Sequence, residues 1–212
     1  MQRLRVHFSR GEEARFLSHL DLMRFWERAC RRSGFELLYS EGFTPHARIS
    51  LAAPLPVGII SQVELMDIWL SRWESPDLFL KGLSKQLPIG IGLNDVKIIS
   101  LDEPSMQSTL RFAEYIVELE SEKTAIEIES SIRSLLSSEN LPWKHMRDKG
   151  EKRYDLRTLV DDVWLISNDN TLCKLGMRLR CDTLGSGRPE QVTIALGFQK
   201  RPISIQRTAL IF

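Results

Sequence analysis

The clearest pattern in the chain is a short alternation of apolar and polar residues followed by a helical repeat. Residues 4–9 alternate, with Leu4, Val6 and Phe8 as the apolar positions, which is the period of a β-strand. Ser18 with Asp21 three residues later predicts the start of a helix. Apolar residues then recur at helical spacing until residues 33–34, where a serine and a glycine predict the end of the helix.

The pattern continues with further elements to about residue 103. Residues 35–40, 63–70 and 96–101 read as strands, residues 40–48 as a loop, and residues 75–88 as a helix whose Ser-Pro start is typical. The resulting order is β-α-β-β-α-β, which is the split-βαβ, ferredoxin-like arrangement. Residues 102–108 form a polar linker.

The second half of the chain repeats this order. Strands are predicted over residues 112–119, 154–160, 163–167, 173–180 and 203–212, with helices over 124–137 and 188–196. Thr124 followed by Glu127 predicts a capping box for the first of these helices. The sequence therefore predicts an α+β fold of two tandem ferredoxin-like units with antiparallel sheets, residues 1–103 and 109–212. The middle of the second unit leaves room for an additional hairpin.

Composition narrows the class of protein. No apolar run approaches the roughly 18 residues that a membrane span needs, and residues 1–8 lack the apolar core of a signal peptide, so we expect a cytoplasmic protein without membrane contact. The cysteines, Cys30, Cys173 and Cys181, show no close pairing, which argues against a disulfide framework. No metal-binding spacing of histidines occurs, and we expect neither a metal nor a cofactor on this chain.

Charge is unevenly distributed although the net charge is only +1. Residues 140–212 carry thirteen basic and eight acidic side chains, whereas residues 106–139 carry three basic and seven acidic ones. In the first predicted helix, Arg24, Arg28 and Arg31 lie at helical spacing and form a basic stripe. Such a stripe can follow a phosphate backbone, and it can equally be a solvated surface.

A candidate site lies around the start of the first helix. Ser18, His19 and Asp21 lie where unpaired N–H groups favour an anion, although the serine and aspartate can also act purely as a cap. The loop 40–48 carries Glu41, His46 and Arg48, and we expect it to fold back toward His19, or alternatively to be ordered by its own salt bridge. Two further candidate anion-binding residues lie in the second half, Arg157 and Arg188, the latter following a glycine-rich loop at a predicted helix start.

Several unusual stretches occur together in this chain: residues 16–24 (FLSHLDLMR), 39–50 (YSEGFTPHARIS) and 54–58 (PLPVG), with Glu64 and Asp67 after them. Residues 154–157 (YDLR), 187–190 (GRPE) and 207–208 follow in the second half. Together they resemble the signature of the radical SAM-linked family, a bacterial family of unknown function encoded beside or fused to a radical SAM protein. The resemblance covers nearly the whole chain and implies a radical SAM partner. Since no CxxxCxxC triplet is present, the iron-sulfur cluster would belong to that partner.

Three functions follow as hypotheses. The leading one is an accessory protein that binds RNA, or another anionic substrate, for a radical SAM enzyme. The second is a metal-independent endoribonuclease similar to CRISPR repeat-processing enzymes, with His19 or His46 as general acid or base. The third is a protein-binding adaptor that performs no chemistry itself.

Overall fold

The computed structural model describes residues 1–147, 150–169 and 171–212. The chain divides into two compact units, Met1–Thr109 and Leu110–Phe212. None of the described helices is long and apolar enough to cross a membrane.

The first unit is built from four strands and three helices. They run in the order β1 (Gln2–Arg10), α1 (His19–Arg32), β2 (Ile49–Leu51), β3 (Ile60–Leu70), α2 (Pro76–Ser84), β4 (Ile91–Ile99) and α3 (Met106–Thr109). The strands form the order β4-β1-β3-β2, and each neighbouring pair is antiparallel.

The alternation along β1 determines the two faces of this sheet. Leu4, Val6 and Phe8 are fully buried in a core that includes Trp26 of α1. The Phe8 and Trp26 rings pack edge to face with their centroids 5.0 Å apart. Arg3, Arg5 and His7, which alternate with these apolar residues, point to the opposite face because successive side chains of a strand alternate.

The described residues of the second unit form six strands and two helices. They run in the order β5 (Phe112–Glu120), α4 (Ala125–Ser137), β6 (Pro142–Arg147), β7 (Gly150–Asp155), β8 (Val160–Asp169), β9 (Leu172–Arg180), α5 (Pro189–Ala195) and β10 (Ser204–Ile211). Its main sheet has the antiparallel order β10-β5-β9-β8. Strands β6 and β7 pair with each other as a separate two-stranded sheet.

The mixed α+β composition and the antiparallel strands confirm the coarse fold prediction. Three strands were placed wrongly. The strand predicted over residues 35–40 is reduced to isolated bridges at Leu37 and Tyr39, and the second strand lies instead at Ile49–Leu51. The two strands predicted between 154 and 167 are replaced by β7 and a longer β8, because a hairpin begins earlier, at Pro142.

Candidate functional site

The start of α1 is closed by its own side chains. Ser18 is the N-cap; its Oγ accepts a hydrogen bond from the Asp21 N–H at 3.2 Å and donates one to Asp21 Oδ2 at 2.7 Å. These contacts are those of the predicted cap. His19 is exposed, and its imidazole makes no hydrogen bond or ion pair with another described residue.

A buried arginine holds the segment that leads into α1. Arg10 is 1% exposed, and its guanidinium donates to the carbonyl oxygens of Ala14 at 3.1 Å, Arg15 at 2.6 Å and Leu17 at 3.0 Å. Sequence reasoning missed this residue. The available signal was its position, since Arg10 follows Leu4, Val6 and Phe8 at the inward spacing of β1.

The PLPVG stretch reaches the start of α1. The Gly58 N–H donates to the Arg15 carbonyl oxygen at 2.8 Å, with a positive φ of 89° at Gly58. Beside this contact, the Arg15 guanidinium lies 4.7 Å from the centre of the Phe16 ring. Around this region three apolar side chains are solvent-exposed: Phe16, Leu20 and Val57.

The predicted basic stripe lies on the solvent side of α1. The buried residues of the helix are Leu22, Trp26, Ala29 and Cys30. At 100° per residue, the exposed Arg24, Arg28 and Arg31 lie opposite that buried face. Arg24 has a loose ion pair with Asp21 at 4.0 Å, whereas the guanidinium groups of Arg28 and Arg31 have no ion pair or hydrogen bond with any other described residue.

The loop after residue 39 begins beside α1, but it contacts the helix at Glu27 and not at His19, where the contact was predicted. Tyr39 donates its hydroxyl hydrogen to Glu27 Oε1 at 3.0 Å. Glu27 lies eight residues after His19, which is about 12 Å along the helix axis. The loop ends are joined by hydrogen bonds between Ser40 and His46, at 2.8 Å and 3.0 Å. Glu41 and the His46 ring are exposed and without a described partner.

Arg48 lies at an aromatic side chain of the sheet rather than at His19. Its guanidinium carbon lies 5.1 Å from the centre of the Trp69 ring, and that of Arg3 lies 5.2 Å from the same ring. Cation–π contacts of this length are attractive. Trp69 therefore holds two arginines on the sheet face opposite the helices.

The same sheet face carries a buried charge network. Asp67 is 1% exposed and accepts hydrogen bonds from Arg3 Nη2 at 2.6 Å and from Arg5 Nε at 2.9 Å. Arg5 also pairs with Glu103 at 3.1 Å. The hydrogen bonds with Asp67 raise the pKa of Arg5, and this effect is larger than the lowering effect of burial. The guanidinium therefore stays charged.

The segment after β4 is fastened across this face. Arg3 donates to the carbonyl oxygens of Ser100, Glu103 and Pro104, at 3.3, 2.6 and 3.1 Å. Farther along, the Gln107 amide donates to Ser50 Oγ at 2.6 Å. The predicted polar linker is therefore part of the first unit, and it ends in α3.

The two candidate arginines of the second unit have different surroundings. Arg157 donates from Nε and Nη2 to the Leu136 carbonyl oxygen at 3.2 and 3.0 Å, which fastens the end of α4. Arg188 is exposed and is the N-cap residue of α5. Among the described residues, no group of three or more histidine, cysteine or acidic side chains could hold a metal ion.

These features define a two-unit α+β protein with a basic helical surface and antiparallel sheets. The chain belongs to the family described as an uncharacterized protein conserved in bacteria, DUF2344, whose profile matches residues 3–189. A search of curated protein sequences found no significant match.

Three solved structures align with most of this chain. A chain of a Cbf5-Nop10-Gar1 complex aligns with a TM-score of 0.52 and 7% identity, over 96% of this chain and 48% of that one. A chain of an archaeal box H/ACA sRNP Nop10-Cbf5 complex gives 0.48 and 8%, over 96% and 47%. An unknown protein from Galdieria sulphuraria gives 0.29 and 14%, over 92% and 90%. The chain thus spans about half the length of the first two.

Proposed function

We propose that this protein binds RNA through the solvent face of α1. The observation that carries the proposal is the outward row of Arg24, Arg28 and Arg31, of which the last two have no ion pair with the described residues. Arginines on successive turns of a helix lie about 6 Å apart along its axis and can contact neighbouring phosphates. Phosphate contacts of this kind supply the sequence-independent part of nucleic-acid affinity.

The fold supports this proposal. In each unit the main sheet has the antiparallel order that a split βαβ arrangement produces, so we assign both units to the ferredoxin-like class, with β6 and β7 inserted in the second. Four-stranded sheets with two helices are common among RNA-binding modules. The similarity to a chain of a Cbf5-Nop10-Gar1 complex, at 7% identity, concerns the fold. Fold likeness alone does not establish function, so the proposal depends on the surface.

The helical face is the better candidate in the first unit because the opposite sheet face is covered. Many RNA-binding modules of this topology stack bases on aromatic residues of the open sheet. Here Arg3 and Asp67 on that face are 3% and 1% exposed, and Arg3 binds the carbonyl groups of residues 100–104. The arginines of α1 are exposed and are the available contacts.

Charge reversal tests the proposal. We expect binding of a fluorescent RNA to strengthen as salt is lowered from roughly 200 to 50 mM. R28E should weaken binding, and it should reduce the slope of log affinity against log salt by about one, which corresponds to the loss of one phosphate contact. R201E is the matched control, since Arg201 is an exposed arginine in the second unit with the same charge change. No binding at low salt, or an equal loss for both variants, would contradict the proposal.

A radical SAM partner is a separate proposal, which rests on the resemblance of the sequence motifs. Under it, the partner would bind the iron-sulfur cluster, because the three cysteines of this chain are buried and have no cluster spacing. Co-purification of the intact chain with radical SAM proteins from a native bacterial lysate tests this proposal. Recovery of no such protein under gentle conditions would contradict it.

The adaptor alternative is favoured by one observation, the exposed apolar side chains at the start of α1. Phe16, Leu20 and Val57 are 67%, 64% and 55% exposed on segments joined by the hydrogen bond from Gly58 to Arg15, and exposed apolar side chains of this size are typical of interaction sites. L20S should then release a protein partner and leave RNA binding unchanged. The endoribonuclease alternative lacks comparable support, because neither His19 nor His46 has a partner among the described residues that would orient its imidazole.

A further inference from the structure

We propose that the α1 surface takes single-stranded RNA, whose bases stack on Tyr39 and Phe43 while Arg24, Arg28 and Arg31 contact its phosphates. This inference rests on the proposed function and specifies its substrate class. It comes from a juxtaposition in the structure: the loop that carries two exposed aromatic side chains is attached to the helix that carries the arginines.

Tyr39 lies at the edge of the basic stripe. Its hydroxyl donates to Glu27 at 3.0 Å, and Glu27 precedes Arg31 by one helical turn and follows Arg24 by three residues. Burial, followed by the hydrogen bond and charge of Glu27, raises the pKa of Tyr39, whereas the nearby charge of Arg31 lowers it. Tyr39 is 39% exposed, so part of the residue remains accessible beside the arginines.

Glu27 would otherwise weaken this surface as an anion site. It is the acidic residue within the row of arginines, and its carboxylate would repel a phosphate. The hydrogen bond from Tyr39 engages that carboxylate and holds it toward the loop. The same contact therefore orders the tyrosine and occupies one carboxylate oxygen beside the arginines.

Phe43 is the most exposed large apolar side chain of the described residues, with a relative exposure of 110%. It lies in the loop whose ends are joined by the hydrogen bonds between Ser40 and His46. Gly42 before it has a φ of 120°, a conformation that glycine adopts readily. The ring contributes nothing to the buried core, so its exposure favours a role in contact with another molecule.

Aromatic rings next to arginines favour a single strand over a duplex. In a duplex the base faces are stacked on one another, whereas the bases of a single strand are free to stack on protein side chains. Stacking on an aromatic side chain accepts any base, and arginines add the phosphate attraction. A duplex would use only the arginines of this surface and leave Phe43 without a contact.

The test compares labelled oligouridine with the same strand annealed to oligoadenine, using the full chain. We expect tighter binding of the single strand. F43A should weaken single-strand binding roughly 5- to 150-fold without changing its dependence on salt, and F43W should restore it. R28E should instead reduce the salt dependence. L184A is the matched control, because Leu184 is an 81% exposed loop residue of the second unit.

Three outcomes would count against the inference, and they are distinguishable. If the duplex binds as tightly as the single strand, the substrate class is wrong. If F43A binds like L184A while the wild-type chain binds RNA, the stacking role is wrong and the proposed RNA binding stands. If neither form of RNA binds the wild-type chain, the proposed function itself fails.

Discussion

Arg3 and Asp67 form a buried ion pair in the first unit, with Nη2 and Oδ2 2.6 Å apart and side chains 3% and 2% exposed. The aspartate also accepts hydrogen bonds from Arg5, and Arg3 binds three carbonyl groups of the segment after β4. One carboxylate thus compensates two guanidinium groups and helps to hold residues 100–104 on the sheet.

Loss of the Asp67 charge should strongly destabilise the first unit. In D67N the buried Arg3 guanidinium loses its counter-charge and Arg5 keeps only its pair with Glu103. Removal of one partner of a buried pair costs about 3–5 kcal/mol. Urea unfolding followed by circular dichroism measures the change. The control is D95N, which removes a 3.3 Å pair with Lys97 whose side chains are about half exposed, and should cost less than about 1 kcal/mol. Equal losses for the two variants would contradict the assigned role.

His7 should make stability depend on pH near neutrality. Burial lowers the pKa of His7 below its ordinary value of 6.5. The charge of Asp95 opposes this shift, whereas the charges of Lys97 and Arg5 add to it. The unfolded chain then binds the proton more readily than the folded chain. The associated stability is therefore present above about pH 6.5 and is lost as the pH falls through the folded pKa.

Unfolding by urea at roughly pH 7.5 and pH 5.5 measures this effect. H7N should lose less free energy of unfolding than the wild type between these two pH values. An NMR titration of the His7 ring provides a direct check. A midpoint at or above 6.5 would contradict the prediction.

The cap of α4 should contribute measurably to the second unit. Thr124 Oγ1 accepts from the Glu127 N–H at 3.3 Å, and Glu127 Oε2 accepts from the Thr124 N–H at 2.7 Å. T124A removes the hydroxyl and should lower the free energy of unfolding by about 1 kcal/mol. T124S keeps the hydroxyl and should stay close to the wild type in the same urea experiment. Equal destabilisation by the two substitutions would show that the methyl group, and not the hydrogen bond, is responsible.

Gly176 of β9 should not tolerate a side chain. A Cβ atom at this position would overlap the indole ring of Trp164 on the neighbouring strand β8. G176A should therefore displace the ring and cost about 1–3 kcal/mol, as overpacked sites do. Tryptophan fluorescence and urea unfolding report both changes. G11A is the control, because a Cβ there would meet its nearest atoms at an ordinary 3.6 Å; an unchanged emission spectrum in G176A would contradict the prediction.

The helix caps and the alternation of apolar and polar residues could be predicted from the sequence because they involve residues that are close in the chain. Ser18 and Thr124 cap α1 and α4 as predicted, and Leu4, Val6 and Phe8 are buried as their alternation indicates. The basic stripe of α1 is exposed for the same reason, since the helical period places it opposite the buried face. Phe43 and Tyr39 were within a conspicuous motif, but their exposure and the contact of Tyr39 with Glu27 of α1 were not predictable.

Only the tertiary structure decided which distant residues meet. Phe35 and Leu37 have a strand-like pattern and are buried, yet the residues that pair with β3 as β2 are Ile49–Leu51, because a strand requires a partner in register. The pairing of Arg3 with Asp67 likewise depends on the register of β1 and β3, which no local pattern specifies. The sequence by itself determined α1, α2, α4 and α5, the caps of α1 and α4, and the arginines that α1 exposes. Long-range sheet pairing decided the buried charge network, the covered sheet face and the position of the aromatic loop.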